Sequence, residues 1–260
     1  MQRTYYEACL CGDTKTVEEL LRSDAQLNIY LGIINASHRG HLRIVELHIE
    51  LRGFNIHVND DEPFVLACWN NQLEVAKYLL EIGGEKTREI IKEGTPLIGC
   101  YPGISTEGAS TAPQVFEWLM AEFGPKGSYP IIEKRAILKV THNCAEGGYV
   151  EVFKKLIDEY GINIVDEGMS GSCIRWSCRN YHKQIVQHIV NVYGQAADYS
   201  YDDEFAIRFL LEGLVNNTDS SKEIIRMMIN GNIIDIDGII SLCNNHGIMN
   251  TDQIIDILTQ

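Results

Sequence analysis

No stretch of the 260 residues approaches 18 consecutive apolar side chains, so no membrane-crossing helix is expected. The opening Met1-Gln-Arg-Thr-Tyr-Tyr-Glu-Ala8 lacks the apolar run of an export signal, so export is not expected either. Positive charge is scarce. Lys and Arg total 22 against 36 Asp and Glu, a formal net charge of −14. Phosphate binding depends on clustered positive charge, which excludes nucleic acid as the main partner and an anionic membrane surface with it. Apolar residues at 45% are enough for a packed core, which excludes wholesale disorder.

Reactive motifs are missing too. Gly84-Glu-Lys86-Thr87 lacks the glycine spacing and Gly-Lys pair of a phosphate loop. Gly168-Met-Ser170-Gly-Ser172 lacks the glycine two places after Ser170 that a nucleophile elbow needs. Cys9-Leu-Cys11 has no second pair nearby. Cys173, Cys178 and His182 do not have zinc-knuckle spacing, and His38 and His41 straddle a turn. Asp235-Ile-Asp237-Gly238 imitates part of a calcium loop, but Ile233 and Asn244 stand where its first and last ligands belong. No metal, cofactor or catalytic residue is expected. The acidic stretch Asp198, Asp202, Asp203 and Glu204 reads as a solvated turn before a helix, where carboxylates favour the positive dipole end. The sequons at Asn35 and Asn216 read as chance occurrences.

What is present is a repeated phrase. An apolar residue is followed three places on by a small one, then four further on often by Gly, then by paired apolar residues. Its small-residue position falls at Ala8, Ala36, Ala67, Cys100, Cys144, Ser177, Leu210 and Cys243, and the last three intervals are each 33 residues. Each copy reads as a helical hairpin. In the third, Leu73, Ala76, Leu79 and Leu80 form one helical stripe, Pro63 opens the shorter first helix, and Gly83-Gly84 predicts a helix stop. Small residues at the register position let helices approach closely. Six of the eight Cys stand there or one place later, which predicts buried thiols in a reducing compartment, the cytoplasm, rather than disulfides.

These residues resemble the ankyrin-repeat family over almost the whole chain. The family's Thr-Pro-Leu opening stands at Thr95-Pro96-Leu97, and Gly-His-Leu opens a second helix at Gly40-His41-Leu42. The resemblance implies an all-α ankyrin-repeat solenoid of about eight helix-turn-helix units with short hairpin loops, forming one domain over residues 1–260. Degenerate caps are expected at about residues 1–30 and 232–260, with an irregular enlarged region at about 95–135. Insertions are expected at residues 101–112 and 216–221, and His48 occupies a core position normally held by Leu. The Ile- and Asn-rich repeats are similar to those of giant DNA viruses of amoebae.

The resemblance implies a non-enzymatic module that presents a concave surface to a protein partner. Contacts come from the positions two and three past each small residue and from the loop tips. On this sequence the expected partner-binding residues are His38, Arg39, Asp61, Trp69, Asn70, Tyr101, Arg179, Asn180 and Glu212. Trp69 is the expected anchor, by the role Trp plays in binding hot spots. The negative net charge suggests a partner with a basic contact face, a host protein if the source is a virus or a bacterial effector. A monomer is favoured. The alternatives are a self-associating scaffold, or an enzyme using Cys100, Glu107, Glu117 or Glu122 in the irregular middle.

Overall fold

The structure, a computed structural model, describes residues 2–23, 25–100, 113–199, 201–215 and 219–248; the side chains of 201–205 and 215 are left aside. Tyr101, the rest of segment 101–112, and residues 216–218 therefore lie outside the described residues. The described residues hold fifteen α-helices, one 3-10 turn and no strand. The chain divides into two compact units, residues 1–139 and 140–260.

In the first unit the hairpins are α1 (Gln2–Cys11) with α2 (Thr14–Arg22), α3 (Ile29–Arg39) with α4 (Leu42–Arg52), and α5 (Glu62–Trp69) with α6 (Leu73–Glu93). The fourth pairs α7 (Thr95–Ile98) with α8 (Gln114–Phe123). Helix α9 (Lys134–Gly147) contains the division. The second unit continues with α10 (Val150–Asp158), α11 (Ser170–Arg179), α12 (Lys183–Tyr193), α13 (Tyr201–Val215), α14 (Asp219–Asn230) and α15 (Ile236–His246). Within each unit first helices stack on first helices and second on second: α1, α3, α5 and α7 in one layer, α2, α4, α6 and α8 in the other. In the second unit α11, α13 and α15 form one layer and α10, α12 and α14 the other. The expected all-α, stacked-hairpin architecture is what each unit adopts.

The repeated phrase works through helix termination. All eight register positions are buried, none more than 4% exposed. Four places on, the backbone turns left-handed at Gly12, Asn71, Gly148, Tyr181 and Gly247, with φ of 84, 57, 78, 58 and 63°, and at Gly40 with φ of 79°. One place further, the amide donates back to the register carbonyl. His41 reaches Ala36 at 2.9 Å, Gln72 reaches Ala67 at 2.8 Å and His182 reaches Ser177 at 2.8 Å. This is a Schellman closure, in which a residue at positive φ satisfies carbonyls that a helix end would otherwise strand. Seven of the eight register residues are small, which lets the next helix approach closely, with Leu210 the exception, and glycine commonly follows because it takes positive φ without strain. The seventh copy departs: Leu214 stands at the turn position and α13 runs on to Val215. The expected insertion there shrinks, since residues 219–221 already belong to α14.

Asn71 replaces the turn glycine for a reason. Its Oδ1 accepts the Val115 amide at 3.0 Å, tying the start of α8 to the preceding repeat. The predicted stop at Gly83-Gly84 is corrected: helical winding resumes after a kink at Gly84 (φ 58°, ψ −135°) and continues to Glu93. Gly83 is buried directly against Thr87, which leaves no room for a side chain. The cysteines at and beside the register, and Cys173, are buried and free, while Cys11 is exposed. Burial pushes the Cys178 thiol up to about 12 and those of Cys68 and Cys144 well above the ordinary range, so these thiols are inert.

The loop between α4 and α5 is strained. Asn59, Asp60 and Asp61 lie consecutively in the left-handed region, at φ of 48, 55 and 57°. L-residues occupy that region singly, and each does so at a cost that is smallest for Asn and Asp. Asp60 is exposed and makes no hydrogen bond or ion pair among the described residues. Replacing Asp60 by Gly should raise stability by up to about 1 kcal/mol in urea denaturation, while Asp60→Ala should lower it.

Candidate protein-binding faces

The exposed edge of the first-helix layer is built by the same register. Just past a buried small residue, the helix turns its next side chains outward. In the first unit this exposes Leu10, Cys11, Arg39 and Trp69 and half-exposes His38 and Asn70. Arg39 has no ion-pair partner among the described residues. Trp69 is 37% exposed. Its indole N–H donates to Thr95 O at 3.1 Å, and its ring lies over Gly99, where any side chain would collide with it. Trp69 thus bridges two repeats along one edge and offers the other edge to solvent. The Asn70 amide turns back onto its own helix, donating to Leu66 O at 2.8 Å.

Asp61 is corrected. It is 1% exposed and faces inward. One carboxylate oxygen accepts the Thr87 hydroxyl, and the other lies 2.7 Å from His57 Nδ1. Neighbouring Glu62 accepts from the Tyr30 hydroxyl and, at 3.0 Å, from Asn59 Nδ2. The bond to Glu62 holds Tyr30 as a proton donor, which raises its pKa. The segment expected to offer Asp61 to a partner is instead the peg that fastens this loop.

In the second unit Glu146, Arg179, Asn180, Glu212, Asn245 and His246 are exposed on the corresponding edge. Asn180 Nδ2 and His182 Nε2 both donate to Glu146 O, at 2.7 and 2.9 Å, stitching one repeat to the next. Burial lowers the His182 pKa, so the ring serves as a neutral donor. The first unit has the same joint where His41 Nε2 meets Leu10 O at 3.0 Å. In both joints the ring packs on the previous repeat's turn glycine, Gly12 or Gly148. Arg179 stacks over the Trp176 ring at 5.0 Å and Arg175 over the same ring at 5.7 Å. His142 meets Trp176 edge-on at 6.4 Å.

A column two places before the register was not anticipated. In the second unit it holds His142, Arg175 and Arg208, each 33 residues apart and half-buried, and then the exposed Ser241. The same positions in the first unit are Tyr6, Ile34, Val65 and Ile98. The signal, a basic or imidazole group recurring at the repeat period, was available in the sequence. The resemblance places contacts only past the register and so does not point to this column.

Of the four side chains that the enzyme alternative would use in the irregular middle, Glu107 lies outside the described residues, Glu117 is half-buried, and Cys100 and Glu122 are engaged. Cys100 is 3% exposed, and its Sγ lies 3.0 Å from Pro96 O, within burial that raises its pKa. Glu122 accepts the Trp118 indole N–H at 2.6 Å. A shallow groove of ≈ 560 Å³ runs along the second helices α10, α12 and α14, beside Lys154, Gln187 and His188. Across it Lys183 pairs with Glu223 at 2.6 Å.

Residues 5–90 match the family profile described as ankyrin repeats, in 3 copies. No curated protein matches the chain. No described helix is long and apolar enough to cross a membrane.

Proposed function

Residues 5–90 are ankyrin repeats, and from that premise we propose that the chain is a non-enzymatic module that binds a protein partner through its first-helix edges. One observation carries this reading. In every copy but the fourth, whose position lies outside the described residues, the side chain two places past the register residue is exposed or half-exposed, while the register residues themselves are buried. The edge is preformed by helix caps and inter-repeat bonds, so little side-chain or backbone freedom is lost on binding. Eight cysteines without a disulfide support a reducing compartment, which we take to be the cytoplasm, the host's if the protein is an effector.

Affinity capture from cell lysate tests the reading. The bait is compared with an Arg39→Ala, Arg179→Ala variant, since both arginines are exposed and can be removed without opening the core. A protein held by the wild type and by a Glu81→Ala control, but lost from the double variant, is the expected result. A protein held equally by all three would remove these edges as the binding site.

A further inference from the structure

The first unit's first-helix layer turns an apolar face to solvent, in a chain of net charge −14. Side chains three and seven places on share a helix face, so α3 directs Leu31, Ile34 and His38 outward while Ile33, Ala36 and Ser37 are buried. Tyr6 and Leu10 hold the matching positions on α1, as do Trp69 on α5 and Ile98 on α7, and these four helices stack in one layer. Leu10, Leu31 and Trp69 are 40, 38 and 37% exposed, and Tyr6, Ile34 and Ile98 are half-buried. Single exposed apolar side chains are ordinary, but a run of them across stacked helices marks a binding surface. Charge stands at the margins. Inside the face Glu7 is paired with Arg3 at 2.9 Å, and Glu62 is held by the Tyr30 hydroxyl. Asp60 and Glu93 are exposed at the N-terminal ends of α5 and α7, 33 residues apart and so at the same place in successive repeats. Neither makes a hydrogen bond or ion pair among the described residues.

We propose that this face binds an amphipathic α-helix of a protein partner, with its apolar stripe on Leu10, Ile34 and Trp69 and a basic flank toward Asp60 and Glu93. This rests on the reading of the first-helix edges as the binding face and names the chemistry of what they bind in the first unit. The dimensions select a helix. From Leu31 to His38 the face is about 10 Å wide, the diameter of a helix and about twice the width of a strand. Across the layer, three helix spacings of about 8–10 Å separate α1 from α7, which matches about 16–20 residues of helix. About one such spacing separates Asp60 from Glu93, which suits cations about seven residues apart along the flank. A second copy of the chain does not fit, because two molecules of net charge −14 repel each other and neither brings a cationic flank to this margin.

The test uses the full chain and three fluorescein-labelled peptides of about 18 residues in an anisotropy titration at low salt. The first has leucines along one helical face and lysines seven apart on its flank, with Ala and Gln elsewhere. The second carries Glu in place of Lys. The third keeps the composition of the first but spreads the leucines around the helix. The first should bind about tenfold or more tighter than either of the others, and added salt should narrow its lead over the second. A Leu10→Ser, Leu31→Ser chain, shown to be folded by circular dichroism, should lose about tenfold or more in affinity for the first peptide. An Ile82→Ser, Val192→Ser chain, altered at exposed apolar residues off this face, should lose none. Asp60→Asn, Glu93→Gln should erase the preference for Lys over Glu, Asn being chosen because it tolerates the positive φ at position 60. Equal binding of the first and third peptides would overturn the proposal, as would a Leu10→Ser, Leu31→Ser chain of wild-type affinity. A preference for the Glu peptide, or a Lys preference that survives Asp60→Asn, Glu93→Gln, would overturn the basic flank. Dimers in dilution light scattering that Leu10→Ser, Leu31→Ser abolishes would assign the face to a second copy and overturn it as well. If a lysate partner depends on Arg39 and Arg179 while none of the peptides binds, this inference alone fails.

Discussion

Replacing Gly32 by Ala should destabilise the first unit by about 3 kcal/mol, although Ala is the better helix former by about 1 kcal/mol. Gly32 sits inside α3, buried, where Tyr5 of α1 and His48 of α4 reach across it to each other. An added Cβ would run into the Tyr5 hydroxyl and approach both Tyr5 Cζ and His48 Nε2 to 2.6 Å. Those groups cannot step aside. Tyr5 and His48 are both 0% exposed, and His48 Nδ1 is already committed to Ile44 O at 2.7 Å. Forcing them apart combines overpacking with two unsatisfied buried groups, each worth about 1–3 kcal/mol. Urea denaturation of Gly32→Ala in the wild type and in a Tyr5→Leu background gives the check. The cost should fall by more than about 1 kcal/mol once the ring is gone, because close neighbours couple. Equal costs in both backgrounds would mean that the collision is not the cause.

That cluster marks where sequence reading runs out. The repeat period, the buried small residues and the turn glycines were legible because each is a local consequence of helix geometry. A Schellman closure needs a positive-φ residue at a fixed offset, and the offset can be counted. His48 was legible as an anomaly, a polar ring in an apolar stripe. Its explanation was not, because Tyr5 is 43 residues away and Gly32 intervenes on a third helix. Asp61 misled for the same reason. Asn59-Asp60-Asp61-Glu62 has the composition of a solvated tip, yet Asp61 is drawn inward by Thr87, 26 residues on, through the space left at Gly83. Gly83-Gly84 looked like a helix stop because glycine commonly ends helices. Here one glycine serves close packing and the other a kink. Of the expected contacts, Arg39, Trp69, Arg179, Asn180 and Glu212 are exposed, His38 and Asn70 are half-exposed, and Asp61 is not available. The column of His142, Arg175 and Arg208 was periodic, and periodicity alone would have found it.

Acid should loosen the first unit above the range in which carboxylates titrate, and His48 should be a principal cause. Its Nδ1–H donates to Ile44 O, so Nε2 is left as the acceptor of the Tyr5 hydroxyl at 2.5 Å. The ring is therefore neutral in the folded chain. Burial lowers its pKa, and the Ile44 carbonyl opposes this only in part. It meets the Tyr5 hydroxyl, which burial raises and which the buried Cys9 thiol neighbours, and no carboxylate hydrogen-bonds to the ring among the described residues. The unfolded chain takes up the proton near pH 6.5 while the folded chain refuses it. Stability is thus fully present above about pH 6.5 and is lost as pH falls from there toward the depressed folded value, with a slope of at most about 1.4 kcal/mol per pH unit. His182 and His188 are lowered by burial as well and add slope of the same sign in the second unit. To isolate His48, Tyr5→Phe should be compared with Tyr5→Phe, His48→Leu by urea denaturation between about pH 5.5 and 7.5. The Tyr5→Phe chain strands Nε2, costs about 1–3 kcal/mol and keeps the acid slope; the double variant removes both polar partners, recovers much of that stability and flattens the slope. Parallel pH profiles for the two chains would show that the buried imidazole is not what acid attacks.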